Sequence, residues 1–145
     1  MIDEGTTPGT IEESVELFAS AAQGSLHAMT SLAVMYASGR GVPQDFGQAH
    51  TYYEMAARKG NPHGMQGLGV LYFNGEGVTT DRIEAMAFWL VALTAGNETA
   101  SGYYQQTSHT YDDAEMHAVI ERANELAEEF GYPGGFTPWN VSDED

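Results

Sequence analysis

Apolar residues recur along this chain at spacings of three and four, the period of helices with one buried face. Ile11, Val15, Phe18, Ala19 and Ala22 predict a first helix with a single apolar side. Thr10 and Glu13 stand in capping-box positions at its start, and Gly24 ends it. Ser25 caps a second helix whose stripe is Ala28, Leu32, Met35 and Tyr36. Gly39 and Gly41 break that helix, and Asp45 with Gln48 in the capping-box position starts a third. Its buried face is expected at Ala49, Tyr52, Tyr53 and Ala56, with Arg58 and Lys59 in the last turn, where the helix dipole favours cations. Gly47, inside that helix at a cost of ~1 kcal/mol relative to alanine, is expected to mark a close helix contact.

The same grammar then repeats. Asn61-Pro62 opens a helix carrying Leu68, Gly69, Leu71 and Tyr72, and Asp81 with Glu84 caps one carrying Ala85, Phe88, Trp89 and Ala92 before Gly96. Residues 32–36 followed by Gly39-Arg40-Gly41-Val42-Pro43-Gln44-Asp45 return thirty-six positions later as 68–72 followed by Gly75-Glu76-Gly77-Val78-Thr79-Thr80-Asp81. A period of this length is the signature of stacked supersecondary units. The loop reads as a hinge in which glycines turn, valine plugs and aspartate caps. Its Gly-x-Gly follows a helix and lacks a third glycine, which excludes a dinucleotide fingerprint. Methionines 29, 35, 55, 65 and 86 read as core filling.

A third unit departs from the pattern. Asn97 caps a helix through Ala100, Tyr103 and Tyr104; a polar turn over 108–111 replaces the glycine loop, and Asp112 or Asp113 starts the last helix. Met116, Val119, Ile120, Ala123, Ala127 and Phe130 give that helix one apolar face and Glu121, Glu125, Glu128 and Glu129 a charged one, the pattern of a terminal cap. The expected layout is a flexible 1–9, one helical domain over 10–130 and a tail over 131–145. The domain divides into a half-unit 10–24, units 25–60 and 61–96, and a degenerate unit plus capping helix over 97–130. In the tail, Phe136 and Trp139 are expected to seal the last helix.

The spacing of Leu68-Gly69, Tyr72, Gly75, Gly77, Val78, Asp81, Ala85, Trp89, Ala92 and Gly96 resembles the Sel-one-like repeat family, relatives of tetratricopeptide repeats. Leu32, Tyr36, Gly39, Gly41, Val42, Asp45, Ala49, Ala56, Ala57 and Gly60 repeat the match, with Ala33 where the family has glycine and Tyr53 where tryptophan is usual. The resemblance implies an all-α fold: a right-handed helix-pair solenoid of about seven helices that presents a concave face of first helices. It also implies an adaptor or scaffold that binds protein segments rather than a catalyst. By the tetratricopeptide register, the concave face would hold His27, Thr30, Ser31, Val34, Ala37 and Ser38, then His63, Gln66, Gly67, Val70, Phe73 and Asn74, with Tyr103 and Gln106 from the third unit. That mixture of amides, hydroxyls and apolar groups suits a peptide backbone.

Charge and missing residues narrow the partners. Lys+Arg number 5 against Asp+Glu 21, a formal charge of −16. Such a field repels nucleic acid and anionic lipid and favours a cationic protein or peptide, although a solvated acidic surface has the same composition. No cysteine is present, so thiolate metal sites and cysteine nucleophiles are excluded. No signal-peptide pattern opens the chain, which favours a cytoplasmic location, and no apolar run reaches the ~20 residues of a membrane span. Lys59 is the only lysine and sits in neither a Ser-x-x-Lys motif nor a phosphate loop. Asp113 and His117 share a helix face with His109 nearby, but spacing fixes no third strong ligand, so no metal and no cofactor are expected. The expected function is a protein-interaction module. The alternative is a small-molecule or metal-binding protein, or a weak hydrolase, using the concave histidines; a structural role through stacked solenoid ends is a third.

Overall fold

The computed structural model of the chain describes residues 11–138, which form seven α-helices joined by tight turns, with no strand among them. They are α1 (Ile11–Ala22), α2 (Leu26–Ser38), α3 (Phe46–Arg58), α4 (Pro62–Asn74), α5 (Arg82–Thr94), α6 (Glu98–Thr107) and α7 (Asp113–Phe130), with a 3-10 turn at Ser108–Thr110. Helices α1 to α6 pack in series, each against the next, as a solenoid of helix pairs. The seventh breaks the series and lies against α5.

Local chemistry sets the helix ends. Ser25, Asp45, Asn61, Asp81 and Asn97 each accept a backbone N–H of the first turn, satisfying a donor the helix cannot. Gly39, Gly41, Gly75 and Gly77 all take the left-handed conformation that the repeated loop requires. The boxes expected at Asp45/Gln48 and Asp81/Glu84 are half-formed. The cap N–H groups donate instead to the carbonyls of Tyr36 (2.8 Å) and Tyr72 (2.9 Å), tying each helix start to the end of its partner helix. A complete box forms at Asp112, whose carboxylate accepts from Glu115 N while Glu115 accepts from Asp112 N. Thr10 lies outside the described residues.

The main core surrounds α5. Residues 85–92 are all buried, because α4, α6 and α7 enclose this helix from different sides. A smaller cluster of Ala21, Ala28, Met29, Leu32 and Ala56 holds the N-terminal end. Met29, Met35, Met65 and Met86 fill core as expected, but Met55 is 36% exposed, on a side of α3 that no helix covers. The expected face of α1 is also corrected. Val15 is 63% and Phe18 37% exposed, whereas Ser14 and Ala21 are buried. Helix α2 is the main partner of α1, on the Ser14, Leu17 and Ala21 side, where the Ser14 hydroxyl donates to Gly41 O (3.3 Å). Phe18 still leans edge-on to Tyr36, with centroids 6.3 Å apart.

Helix α7 buries Val119, Ile120, Ala123, Ala127 and Phe130, with Leu126 in addition, and exposes its glutamate stripe. It does not cap the outer side of α6; it doubles back over α5 and reaches α3. Three arginines fasten it. Arg122 grips Glu84 in bidentate fashion at 2.8 and 2.9 Å, and this hydrogen bonding raises its pKa further above the ordinary value. Arg82 bonds Glu115 (3.2 Å) and stacks on Tyr111 (4.0 Å to the ring centre). Arg58 bonds Glu129 (3.0 Å) and lies over Phe130 (4.4 Å). The tail follows back along the same surface: Asn124 accepts from Gly135 N and Phe136 N and donates to Phe136 O, and Phe136 is buried. Trp139 lies outside the described residues.

Tyr132 completes this closure by donating its hydroxyl to Ala57 O at 2.8 Å. Burial pushes its phenol up to about 12. The folded value exceeds the unfolded one of about 10, so its contribution is intact below pH 10 and lost as pH rises towards 12. Thermal melts at pH 9 and pH 11 should therefore show a fall in stability that is smaller in Tyr132→Phe than in the parent. At pH 9 the variant should be less stable by roughly 0.5–1.5 kcal/mol, the worth of one hydrogen bond.

Candidate functional site

The face formed by the first helices of the pairs is built on an unusual helix. Helix α4 carries glycine at 64, 67 and 69, and all three are buried. A Cβ at Gly64 would overlap the Tyr53 carbonyl and the Ala57 amide, one at Gly67 the Tyr53 ring, and one at Gly69 the indole of Trp89. The glycines thus let two large rings, one from α3 and one from α5, lie on the α4 backbone. Trp89 is fixed further by its Nε1–H, which donates to Gln66 O at 3.2 Å. The row continues through Phe73, 5.3 Å from Trp89 between ring centres, and Tyr103, 4.9 Å from it on the other side. Burial raises the Tyr53 pKa, helped by the nearby charges of Tyr103 and Glu76, so its hydroxyl stays protonated.

Two cavities open above this floor. The larger, about 480 Å³, is lined by His27, Thr30, Ser31, Val34, Ser38, His63 and Gln66, together with Glu13, Met35, Arg40 and Tyr53. The smaller, about 210 Å³, is lined by Val70, Phe73, Asn74, Tyr103 and Gln106, together with Trp89 and Thr107. On α4, Gln66 lines the first and Val70, a turn later, lines the second. The twelve side chains expected on the concave face, leaving out Ala37 and Gly67, all line one cavity or the other. Gly67 belongs to the floor beneath Tyr53 rather than to the open face. Ala37 is half-buried, its carbonyl accepting from the Gln44 side chain.

Tyr53 and Trp89 escaped the sequence reading, which assigned both to the core face of the second helices. The signal for them was present in the glycines at 67 and 69, whose missing side chains leave room for rings. Gly47, by contrast, meets only the carboxylate of its own cap, Asp45, so it marks no helix contact.

Several hydroxyls on this face are already engaged. Thr30 donates to backbone carbonyls of its own helix, as does Ser38, to Val34 O at 2.9 Å. Their lone pairs stay available, which makes them acceptors for an incoming donor. Ser31 lies 3.5 Å from His27 Nε2. His63 Nδ1 lies 3.1 Å from the amide of Asn97, whose Oδ1 accepts from Ala100 N at 2.7 Å. With its oxygen committed to the cap, Asn97 must offer its NH₂, and His63 must accept at Nδ1. The histidine thereby joins the start of α4 to the start of α6. Elsewhere, His117 Nδ1 sits 3.0 Å from the Asp113 carbonyl oxygen. Among the described residues no three acidic or histidine side chains converge on a metal-sized site, and no helix is long and apolar enough to cross a membrane.

Comparison with known proteins supports this architecture. A family model described as Sel1 repeat matches residues 26–61 and 62–97. The fold is similar to that of a protective antigen present in uropathogenic Escherichia coli strains and displaying an SLR fold, with a TM-score of 0.76 at 23% identity. That match covers 83% of this chain and 26% of the antigen, so this chain spans about a quarter of the antigen's length. A Sel1 repeat protein from Oxalobacter formigenes is similar with a TM-score of 0.59 at 24% identity, over 81% of this chain and 96% of that one. At these identities the likeness to both structures is one of fold. No curated protein matches the sequence.

The glycine floor makes a paired prediction. Gly69→Ala should lower stability by about 1–3 kcal/mol, since the added methyl must displace Trp89, and should move the indole N–H resonance. Gly102→Ala in α6, where a Cβ meets nothing within 4 Å, should raise stability by roughly 0.5–1 kcal/mol. Chemical denaturation of both variants checks the two signs.

Proposed function

The chain is a Sel1-repeat protein, and from that premise we propose that its double cavity holds an extended segment of a partner protein. Proteins of this kind are generally protein-interaction modules, and their fold is typically a non-enzymatic scaffold. The observation that carries the reading is that Gln66 and Val70, one turn apart on α4, line two neighbouring cavities. Their combined lining pairs exposed apolar anchors, such as Val34 at 49% exposure, with hydroxyl and amide acceptors spaced along three successive first helices. An extended peptide offers alternating backbone donors and side chains, which such a surface can satisfy without catalysis. The charge of −16 favours a cationic segment, through faster encounter and rejection of acidic competitors more than through raw affinity.

Peptides selected from a random display library against the whole protein test this. Val34→Arg, in the larger cavity, should weaken their binding by about tenfold or more, the scale of an interface anchor. Val15→Arg adds the same charge on α1, outside both cavities, and should leave binding within about twofold, as surface changes away from a site do. Equal loss in both variants, or none in either, would place the peptide elsewhere. Binding should also weaken steadily as salt rises from dilute to physiological buffer.

A further inference from the structure

We propose that the smaller cavity is a subsite for a cationic side chain, the guanidinium of an arginine in the bound segment. The inference rests on the peptide reading of the groove and specifies one of its positions. The cavity shows rings and lone pairs, and its fixed polar hydrogens point away. The Trp89 Nε1–H is committed to Gln66 O. The Thr107 hydroxyl donates to Tyr103 O at 2.8 Å, leaving its lone pairs outward. The Asn74 NH₂ faces the Glu76 carboxylate at 3.4 Å; a carboxylate can only accept, so Asn74 Oδ1 is the atom left for a ligand. The Gln106 amide oxygen and the Tyr103 hydroxyl can also accept. No charged side chain lines the cavity, while Glu76 stands just behind its rim and the chain as a whole is strongly acidic.

Three rings, Phe73, Trp89 and Tyr103, tilted 38° and 43° across the two contacts, form the walls. Ring faces carry negative potential, and a guanidinium over them is attracted while its N–H groups reach acceptors at the edge. The same chain already uses this interaction twice, with Arg82 on Tyr111 and Arg58 on Phe130. An aliphatic side chain would fill the volume but leave the outward lone pairs of Asn74 and Thr107 unanswered. A carboxylate would find donors only in the Gln106 amide and the Tyr103 hydroxyl, and would meet a repelling field.

The test is a titration of ¹⁵N-labelled whole protein with N-acetyl-arginine amide, its neutral isostere N-acetyl-citrulline amide, and N-acetyl-norleucine amide. The arginine compound should saturably shift the Trp89 indole N–H and the amides of Val70, Asn74 and Thr107, with roughly 3- to 30-fold tighter binding than citrulline. Phe73→Leu, which keeps bulk but removes a ring face, should erase most of that preference. Equal or tighter binding of citrulline or norleucine would overturn the cationic assignment. Arginine shifts spread over the glutamate stripe of α7 would reduce the effect to general electrostatics and overturn it too, as would no shift at the cavity with any compound. A display-selected peptide that shifts Ser31 and Gln66 but not Trp89 would leave the groove standing and remove this subsite alone.

Discussion

The structure depends on the close approach of two aromatic rings to the backbone of α4. Each glycine in a helix interior costs about 1 kcal/mol relative to alanine, and α4 carries three between its ends. The offset is the burial of Tyr53 and Trp89 against that backbone, since large rings bring more contact area to a core than any other side chains. Because one ring comes from the helix pair before α4 and the other from its own pair, the glycines fix both the pairing within a repeat and the stacking between repeats. They also set the floor on which the candidate groove rests.

The two repeats are unequal in a way that matters for the groove. At the positions corresponding to Gly67 and Gly69, the first repeat has Ser31 and Ala33, and the residue corresponding to Tyr53 one repeat earlier is Leu17. The larger cavity, beside α2, is lined by side chains such as His27, Thr30 and Ser31, and the smaller, between α4 and α6, by the rings of Phe73, Trp89 and Tyr103. A bound segment would meet two different chemistries along its length, which gives the groove a direction.

Charge is distributed with the same economy of means. Three of the five basic residues, Arg58, Arg82 and Arg122, hold α7 against α3 and α5. The best of these contacts is Arg122 with Glu84, whose side chain is only 14% exposed; pairs as exposed as Arg58 with Glu129 are worth about 0–1 kcal/mol. Each of these pairs neutralises a glutamate at the α7 seam and leaves the net charge of −16 as the sequence sets it.

The sequence by itself determined the helices, their caps and the repeat. These rest on interactions within a few residues, such as a cap carboxylate three positions from its amide or a glycine in a left-handed turn, and such interactions leave a spacing that can be read directly. The thirty-six-residue period also fixes which side chains are equivalent between repeats, while the choice of one set as an open face came from the tetratricopeptide register that the resemblance implies. Tertiary structure alone decided which neighbour covers each apolar stripe. Val15 and Phe18 have the periodicity of a buried face yet stay open, because α1 turns its Ser14 and Ala21 side to the core and Phe18 meets only the rings of Tyr36 and Tyr52 at its edge. The stripe of α7 found α5 rather than the outer side of α6. The rings of Tyr53 and Trp89 turned towards α4 because glycines distant in sequence made room. Periodicity states that a face is apolar, but burial requires a second surface, and the second surface is supplied from elsewhere in the chain.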